Sequence, residues 1–418
     1  MPQAQHTMQN TVSPSVWEKT CRSIFLGVLK RLPHGYMTMS ENGQVIGQFG
    51  DKAHDLHAQV NILNASAYPK LLFGGSIASG ETYSDNLWDS PNLTNVIRIF
   101  ARNLPMLDEW ENRFKWITMP ALKLSHFANR NSADQAKRNI SAHYDLGNKL
   151  YSKFLDRSMM YSAAIYPDPN ASLADAQQHK LHTICEKLQL KQSDHLMEIG
   201  TGWGGLAIHA AKNYGCKVTT TTISEEQHAY AQQWINKEGL SDKITLLKQD
   251  YRLLEGEYDK LVSIEMIEAV GKRYLTTFFK KCSSLLKPDG LMLLQSITID
   301  DRRHASYSKS VDFIQKYIFP GGYLPSQMII NKHLKKDTDL SIADIQDIGL
   351  DYAQTLQDWF VAFSTQKEAL AEDGYDERFM RMWQYYLNYC EGGFLERAIS
   401  TLQLVLRKPQ HRQVLSRG

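Results

Sequence analysis

The 418-residue sequence predicts an α/β protein: a doubly wound, Rossmann-like domain over residues 129–418, preceded by a smaller α+β domain over residues 1–128. Three observations predict it. The apolar stretch His195–Met197 runs into Glu198-Ile199-Gly200-Thr201-Gly202-Trp203-Gly204-Gly205 and then into an Ala-rich helical pattern, Leu206–Lys212. Strand, glycine turn and helix in that order form a nucleotide-binding crevice in an α/β sheet. From about residue 180 onward, short apolar segments alternate with helical ones, the rhythm of a parallel sheet covered on both faces. The residues before 128 lack that rhythm and carry Gly- and Asn-punctuated segments instead.

The elements follow in order. Behind a polar leader, Gln3–Asn10, the residues Trp17, Cys21, Ile24, Phe25, Val28, Leu29 and Leu32 fall on one helical stripe. Such a stripe faces a core or, in the sharper alternative, dips into a membrane interface. Glu41-Asn42-Gly43 and Gly47–Gly50 suggest hairpins, and Leu93–Asn103 is helical. The polar stretch Asn129–Lys137 has the character of a linker, which puts the domain boundary near 128. Beyond it the pattern predicts a helix over Thr183–Leu190 and strands over His195–Ile199, Val218–Ile223, Ile244–Lys248, Lys260–Ile264 and Leu291–Ile297. Helices are expected over Glu225–Lys237 and Thr276–Leu286, with Pro288-Asp289-Gly290 as a turn.

Composition narrows the class. A net charge of +2 leaves no global nucleic-acid footprint, so no nucleic-acid partner is expected. Basic character is local, in Lys332–Lys336 and in the tail Arg407–Arg417, where it is either solvated surface or attraction to anionic lipid. Five scattered cysteines with no CxxC fit reduced thiols in a cytoplasm and no zinc site. No apolar run approaches the roughly 18 residues of a membrane span. The expectation is a cytoplasmic protein, soluble or lying on the membrane.

The chemistry is sought where the strands end. The glycine spacing alone also fits a dinucleotide fingerprint, and Glu198 decides between the two. A carboxylate at the first turn repels a pyrophosphate but suits the ammonium of S-adenosylmethionine (SAM), with Gly200 and Gly202 giving the backbone close approach. Thr222 and Gln227 offer uncharged partners for ribose hydroxyls, or simply a capping arrangement with Ser224. Asp250 can accept from an adenine amino group and Tyr251 can cover the ring; a turn aspartate is the plainer alternative. Glu265 and Glu268 stand three apart and share a face if their segment is helical. The aromatic, Gly- and Pro-stiffened segment Tyr317–Pro325 suits a lid over an apolar substrate, or ordinary core. Together these features describe a SAM-dependent transferase with a large apolar pocket.

From His143-Tyr144-Asp145-Leu146-Gly147-Asn148 onward the chain resembles the cyclopropane-fatty-acyl-phospholipid synthases. The runs Lys180–Leu188, Asp312–Ile314 into Tyr317–Pro325, and Tyr375–Phe379 with Arg381-Met382-Trp383 carry the resemblance over most of residues 140–408. The first 128 residues are similar to the family's accessory lipid-binding domain.

The resemblance implies a membrane phospholipid with an unsaturated acyl chain as substrate. The alkene takes the SAM methyl, a base removes a proton from that methyl, and a cyclopropane ring closes. In the family the base is a bound bicarbonate. Carried over, Tyr161 and Ser162 join Gly200 and Gly202 around the methionine part of SAM, with Thr222 and Gln227 at the ribose and Asp250 and Tyr251 at the adenine. Glu268 matches the pocket glutamate, Tyr352 the pocket tyrosine, and Ile297 the residue whose backbone N–H holds bicarbonate. Two pocket positions depart: Ala163 stands where the family run has cysteine, and Gln295 where it has histidine, although plant-type relatives share that glutamine. A lipid C-methyltransferase that leaves a methyl-branched or methylene chain is the alternative. The resemblance further implies a peripheral enzyme on the inner membrane face and a homodimer.

Overall fold

A computed structural model describes residues 13–106 and 147–414. The chain divides into two compact units, Met1–Thr118 and Met119–Gly418. The linker expected over Asn129–Lys137, the boundary at 128 and the run His143–Leu146 lie outside the described residues.

In the first unit, strands β1 (Tyr36–Glu41), β2 (Gln44–Gly50), β3 (His57–Ile62) and β4 (Trp88–Asp89) form a sheet in the order β2-β1-β3-β4. The expected Asn42-Gly43 turn joins β1 to β2, with φ of 47° and 83°, the double left-handed geometry that tight hairpins need. The helix Val16–Leu29 carries a full capping box between Ser15 and Glu18. Its stripe is split. Cys21, Val28 and Leu29 are buried, as is Leu32 beyond its end, whereas Trp17 is 57% and Ile24 37% exposed. Trp17 stacks on Phe73 of the helix Ala67–Ser84.

In the second unit a seven-stranded sheet runs β10-β11-β9-β8-β5-β6-β7. Its strands are β5 (His195–Ile199), β6 (Lys217–Thr222), β7 (Ile244–Lys248), β8 (Tyr258–Ile264), β9 (Leu286–Ile299), β10 (Ser341–Asp347) and β11 (Ile399–Arg407). The five expected strands are present and mutually parallel, but β11 pairs antiparallel with both β9 and β10, so the sheet is mixed. Pro288-Asp289-Gly290 is not a free turn: it bulges within β9, between the pairs Tyr258↔Leu286 and Lys260↔Leu291. The helix expected over Thr183–Leu190 spans Leu173–Lys187.

Alternate residues of each central strand face opposite layers. Met197, Leu261, Met292 and Leu404 pack with the helices Leu275–Ser284 and Gln327–Asp337. Leu196, Val262, Leu293 and Val405 pack with the helices Leu173–Lys187, Gly205–Asn213 and Glu225–Lys237. Burial on both faces explains why these strands are continuously apolar. The chain runs β5-β6-β7 to one side and returns to β8-β9 on the other, so the switch point lies between β5 and β8. That is where a ligand crevice opens in such a sheet.

Candidate active site

Two turns flank the switch point. The first follows β5, where Gly200, Gly202 and Gly204 have φ of 104°, 54° and 98°, backbone that L side chains rarely adopt. A Cβ on Gly200 would lie 3.2 Å from the side chain of Met266, so this turn touches the one that follows β8. Nothing lies within 4 Å of a Cβ built on Gly202, which leaves that side open to a ligand.

Glu198 is buried beneath the first turn and accepts from the Thr220 hydroxyl at 2.5 Å. Burial pushes its carboxyl up to about 8, against the pull of Thr220 and of the Lys180 charge. A buried acid with one hydroxyl partner beside an open glycine turn is a place that suits an incoming cation. Ser162 is buried and its hydroxyl accepts from the buried ammonium of Lys180 at 2.8 Å. The Tyr161 hydroxyl bonds that of Tyr386 at 2.9 Å. At the end of β6, the Thr222 hydroxyl donates to the Gln227 carboxamide at 3.0 Å, and Ser224 caps the next helix through the Gln227 N–H. The capping expectation is met here, with Thr222 and Gln227 bonded to each other. Asp250 caps its own turn and is gripped by Arg252 through two hydrogen bonds of 2.9 and 2.6 Å, a structural duty beside any ligand role. Tyr251 packs edge-on against Phe278.

The second turn, after β8, brings the expected pocket residues together around a side chain that the sequence pairs with Glu268 but to which the resemblance gives no role. Glu265 is the focus. Its Oε1 accepts from the Ala163 N–H at 3.0 Å and the Gln295 amide at 2.8 Å, and its Oε2 from the Tyr352 hydroxyl at 2.8 Å. These are three of the residues expected to surround bicarbonate. They hold a carboxylate of the chain itself, so the donor set does not fit a further anion at that position. Glu265 adopts φ of 49°, a conformation that costs a non-glycine residue about 1–2 kcal/mol. A glutamate kept where the backbone favours glycine points to the side chain's own use.

The fourth expected donor, the Ile297 N–H, goes to Glu268 Oε1 at 2.6 Å, joined by the Ser296 hydroxyl at 3.1 Å. Glu268 Oε2 is buried without a hydrogen-bond partner. Burial first, and then the charge of Glu265, push the Glu268 carboxyl up to about 8. Burial also raises Glu265, opposed by its donors and by Lys180. Both carboxyls are raised, and the donors and Lys180 charge that oppose the rise of Glu265 favour the negative charge there and the proton on Glu268.

The orientation of Gln295 is fixed from outside the pocket. The Lys187 ammonium, a pure donor, gives a hydrogen bond to Gln403 Oε1 at 2.8 Å; Gln403 Nε2 donates to Gln295 Oε1 at 2.9 Å; Gln295 Nε2 is then turned to Glu265. The register that aligns Gln295 with Gln403 across β9 and β11 makes this relay possible. Aromatic rings close the pocket: Tyr161 lies 5.3 Å from Trp359 and 6.3 Å from Phe319, centre to centre. Phe319 belongs to the segment Tyr317–Pro325, which is tied to the site by the Tyr323 N–H donating to the Glu268 carbonyl at 2.9 Å.

The resemblance thus put Glu268, Tyr352, Gln295, Ile297 and Ala163 in one pocket, and neither it nor the residue pattern gave Glu265, Lys180 or Gln403 a role there. The Glu-x-x-Glu spacing was the one local signal for Glu265. Nothing local marks Lys180 or Gln403, because a buried lysine and a strand glutamine acquire their roles only through the fold.

A Rossmann-like sheet with a buried acid at its glycine turn and a carboxylate pocket across the switch point defines an S-adenosylmethionine-dependent methyltransferase. The comparisons with known proteins agree. The mycolic acid cyclopropane synthetase family profile matches residues 131–404. The chain belongs to this family. It is 37% identical over 340 residues to the tuberculostearic acid methyltransferase UfaA1 of Mycobacterium tuberculosis, covering 79% of each chain. It is also 37% identical over 362 residues to the cyclopropane-fatty-acyl-phospholipid synthase of Escherichia coli, covering 84% of this chain and 88% of that one. Among solved structures, mycolic acid cyclopropane synthase CmaA1 complexed with SAH and CTAB superposes with a TM-score of 0.61 at 28% identity, over 65% of this chain and 98% of that chain. The protein is therefore a SAM-dependent enzyme of lipid methylation, and among its described residues no helix is long and apolar enough to cross a membrane.

Proposed function

We propose that the enzyme methylates the double bond of an unsaturated phospholipid acyl chain and closes the product to a cyclopropane ring. The observation that carries this reading is the pairing of a SAM-type glycine turn with a buried carboxylate pocket walled by aromatic rings. Methylating an alkene leaves a carbocation, which the faces of Tyr161, Phe319 and Trp359 and a fixed negative charge would stabilise while water is kept out. SAM supplies the electrophilic methyl. Glu198 takes its ammonium, Tyr161, Ser162, Gly200 and Gly202 the methionine part, Thr222 and Gln227 the ribose, and Asp250 and Tyr251 the adenine. Gln295, Tyr352 and the Ala163 N–H hold the charge that receives the proton, and Glu268, fixed by Ile297, shares the pocket. Bicarbonate is left out of this reading because its expected donors are engaged by Glu265 and, for Ile297, by Glu268.

The first unit acts as an accessory lipid-binding domain at the cytoplasmic face. Its exposed Val16, Trp17 and Ile24 support that role, as do the basic residues Lys332–Lys336 of the catalytic unit. Frequent dimerisation in the family extends the reading to a homodimer. The relationship to a tuberculostearic acid methyltransferase favours one second reading, in which the proton leaves from a chain carbon and no ring forms.

The test is incubation of unsaturated phospholipid vesicles with the protein and SAM, followed by mass spectrometry and proton NMR. A gain of one CH2 with high-field ring protons is the expected result. The same gain without ring protons would select the C-methyltransferase, and no gain would overturn lipid methylation at this bond.

A further inference from the structure

We infer that Glu265 is the base of the reaction, a carboxylate built into the chain at the position where the resemblance puts an external anion. This deepens the proposed function and rests on it. Ala163, Gln295 and Tyr352 converge on Glu265 at 2.8–3.0 Å. The Ala163 backbone N–H can only donate. The Lys187–Gln403–Gln295 relay turns the donating end of Gln295 to the same oxygen. An oxygen receiving two such donors does not carry the proton, and the Tyr352 hydroxyl donating to the other oxygen favours the ionised form of Glu265. Lys180, wholly buried, is a source of compensating charge that Glu265, Asp156 and Glu198 all feel, which ties the base electrostatically to the glycine turn. With three donors on two oxygens, one acceptor direction is left for a proton.

The step balances within the chain and its two substrates. The alkene π pair forms the new bond to the methyl carbon as the sulfur–methyl bond breaks, that pair leaving on sulfur. Glu265 then accepts a proton from the transferred methyl, and the C–H pair closes onto the cationic carbon. No other co-reactant is consumed.

Glu265→Gly tests this directly, because glycine suits the backbone at φ of 49° and opens the anion position. SAM calorimetry serves as the check on folding. Lipid methylation is measured in carbonate-depleted buffer and with added bicarbonate, and [13C]bicarbonate binding is followed by NMR. Wild-type turnover should be indifferent to bicarbonate, and wild-type protein should not bind it. Glu265→Gly should turn over about 100-fold more slowly without bicarbonate, keep its SAM affinity, bind bicarbonate and regain activity with it. Wild-type turnover that rises with bicarbonate, or a Glu265→Gly variant that keeps its rate without it, would overturn the inference. If no lipid is methylated at all, the proposed function falls, and bicarbonate binding still decides the site: binding to wild type counts against Glu265, binding only to the variant counts for it.

Discussion

Glu198, buried inside β5, and Glu265, half-buried just past β8, are carboxylates on neighbouring parallel strands, yet they are held in different ways. Glu198 has one hydroxyl partner, and burial leaves it protonated near neutrality. Glu265 is raised by burial as well, but three donors and the Lys180 charge oppose that rise and favour its ionised form. The first is an acid that ionises when a cation binds; the second is a base already organised for the transition state. Binding and chemistry are thereby divided between two turns that touch at Gly200 and Met266.

The division can be broken most severely at Glu265. Glu265→Gln should cut turnover by about 100-fold or more, measured with radiolabelled SAM, while calorimetric SAM affinity stays at the wild-type level. A parallel loss of affinity would merge the two sites into one. Next in size is Glu198→Gln, expected to weaken SAM by roughly tenfold through loss of a charge-assisted hydrogen bond, with turnover at saturating SAM little changed. Calorimetry in buffers of different ionisation enthalpy sharpens the point. Wild type should release a proton on binding SAM at about pH 7, because a raised carboxyl ionises beside the cation; Glu198→Gln should not. Smaller again is Lys187→Met, which frees the Gln403 and Gln295 amides to turn and should slow turnover by a few-fold without touching SAM affinity. An unchanged rate would show that the relay does not orient the base.

The smallest effect is on stability. Glu268 is raised to about 8 in the folded protein, so between its ordinary value of 4.5 and about 8 the folded state holds a proton that the unfolded state has lost. Its contribution is complete below the ordinary value and fades as pH rises through that window. The wild-type melting temperature should fall over this range. Glu268→Gln, a neutral isostere, should show a shallower fall and a smaller loss of turnover than Glu265→Gln. An equally steep fall would place the proton elsewhere.

The two turns also differ in how far the sequence reveals them. The glycine turn is local. Its acid, glycines and helix follow one another in eight residues of chain, and β5, β7 and the helix Glu225–Lys237 have the bounds their periodicity predicts. The base is not local. Glu265 lies 102 residues from Ala163, 30 from Gln295 and 87 from Tyr352; the parallel β8–β9 register sets Gln295 beside it, and the helix Gly349–Thr365 carries Tyr352 to it. The antiparallel return of β11 was itself missed, because nothing local in Ile399–Arg407 states which strand it joins or in which direction. The same limit applied at the N-terminal helix, where a continuous apolar stripe does not say which residues stay exposed; Trp17 does and Cys21 does not. Family resemblance supplied the pocket positions, but it carried an external anion with them that this chain's own glutamate displaces.

The most direct test of the account is the fate of the methyl hydrogens. Unsaturated phospholipid vesicles would be incubated with the protein and SAM bearing a fully deuterated methyl, and the product examined by mass spectrometry and NMR. Proton removal from the transferred methyl and ring closure predict a cyclopropane that keeps two of the three deuterons. A product that keeps all three in an intact methyl group would contradict it.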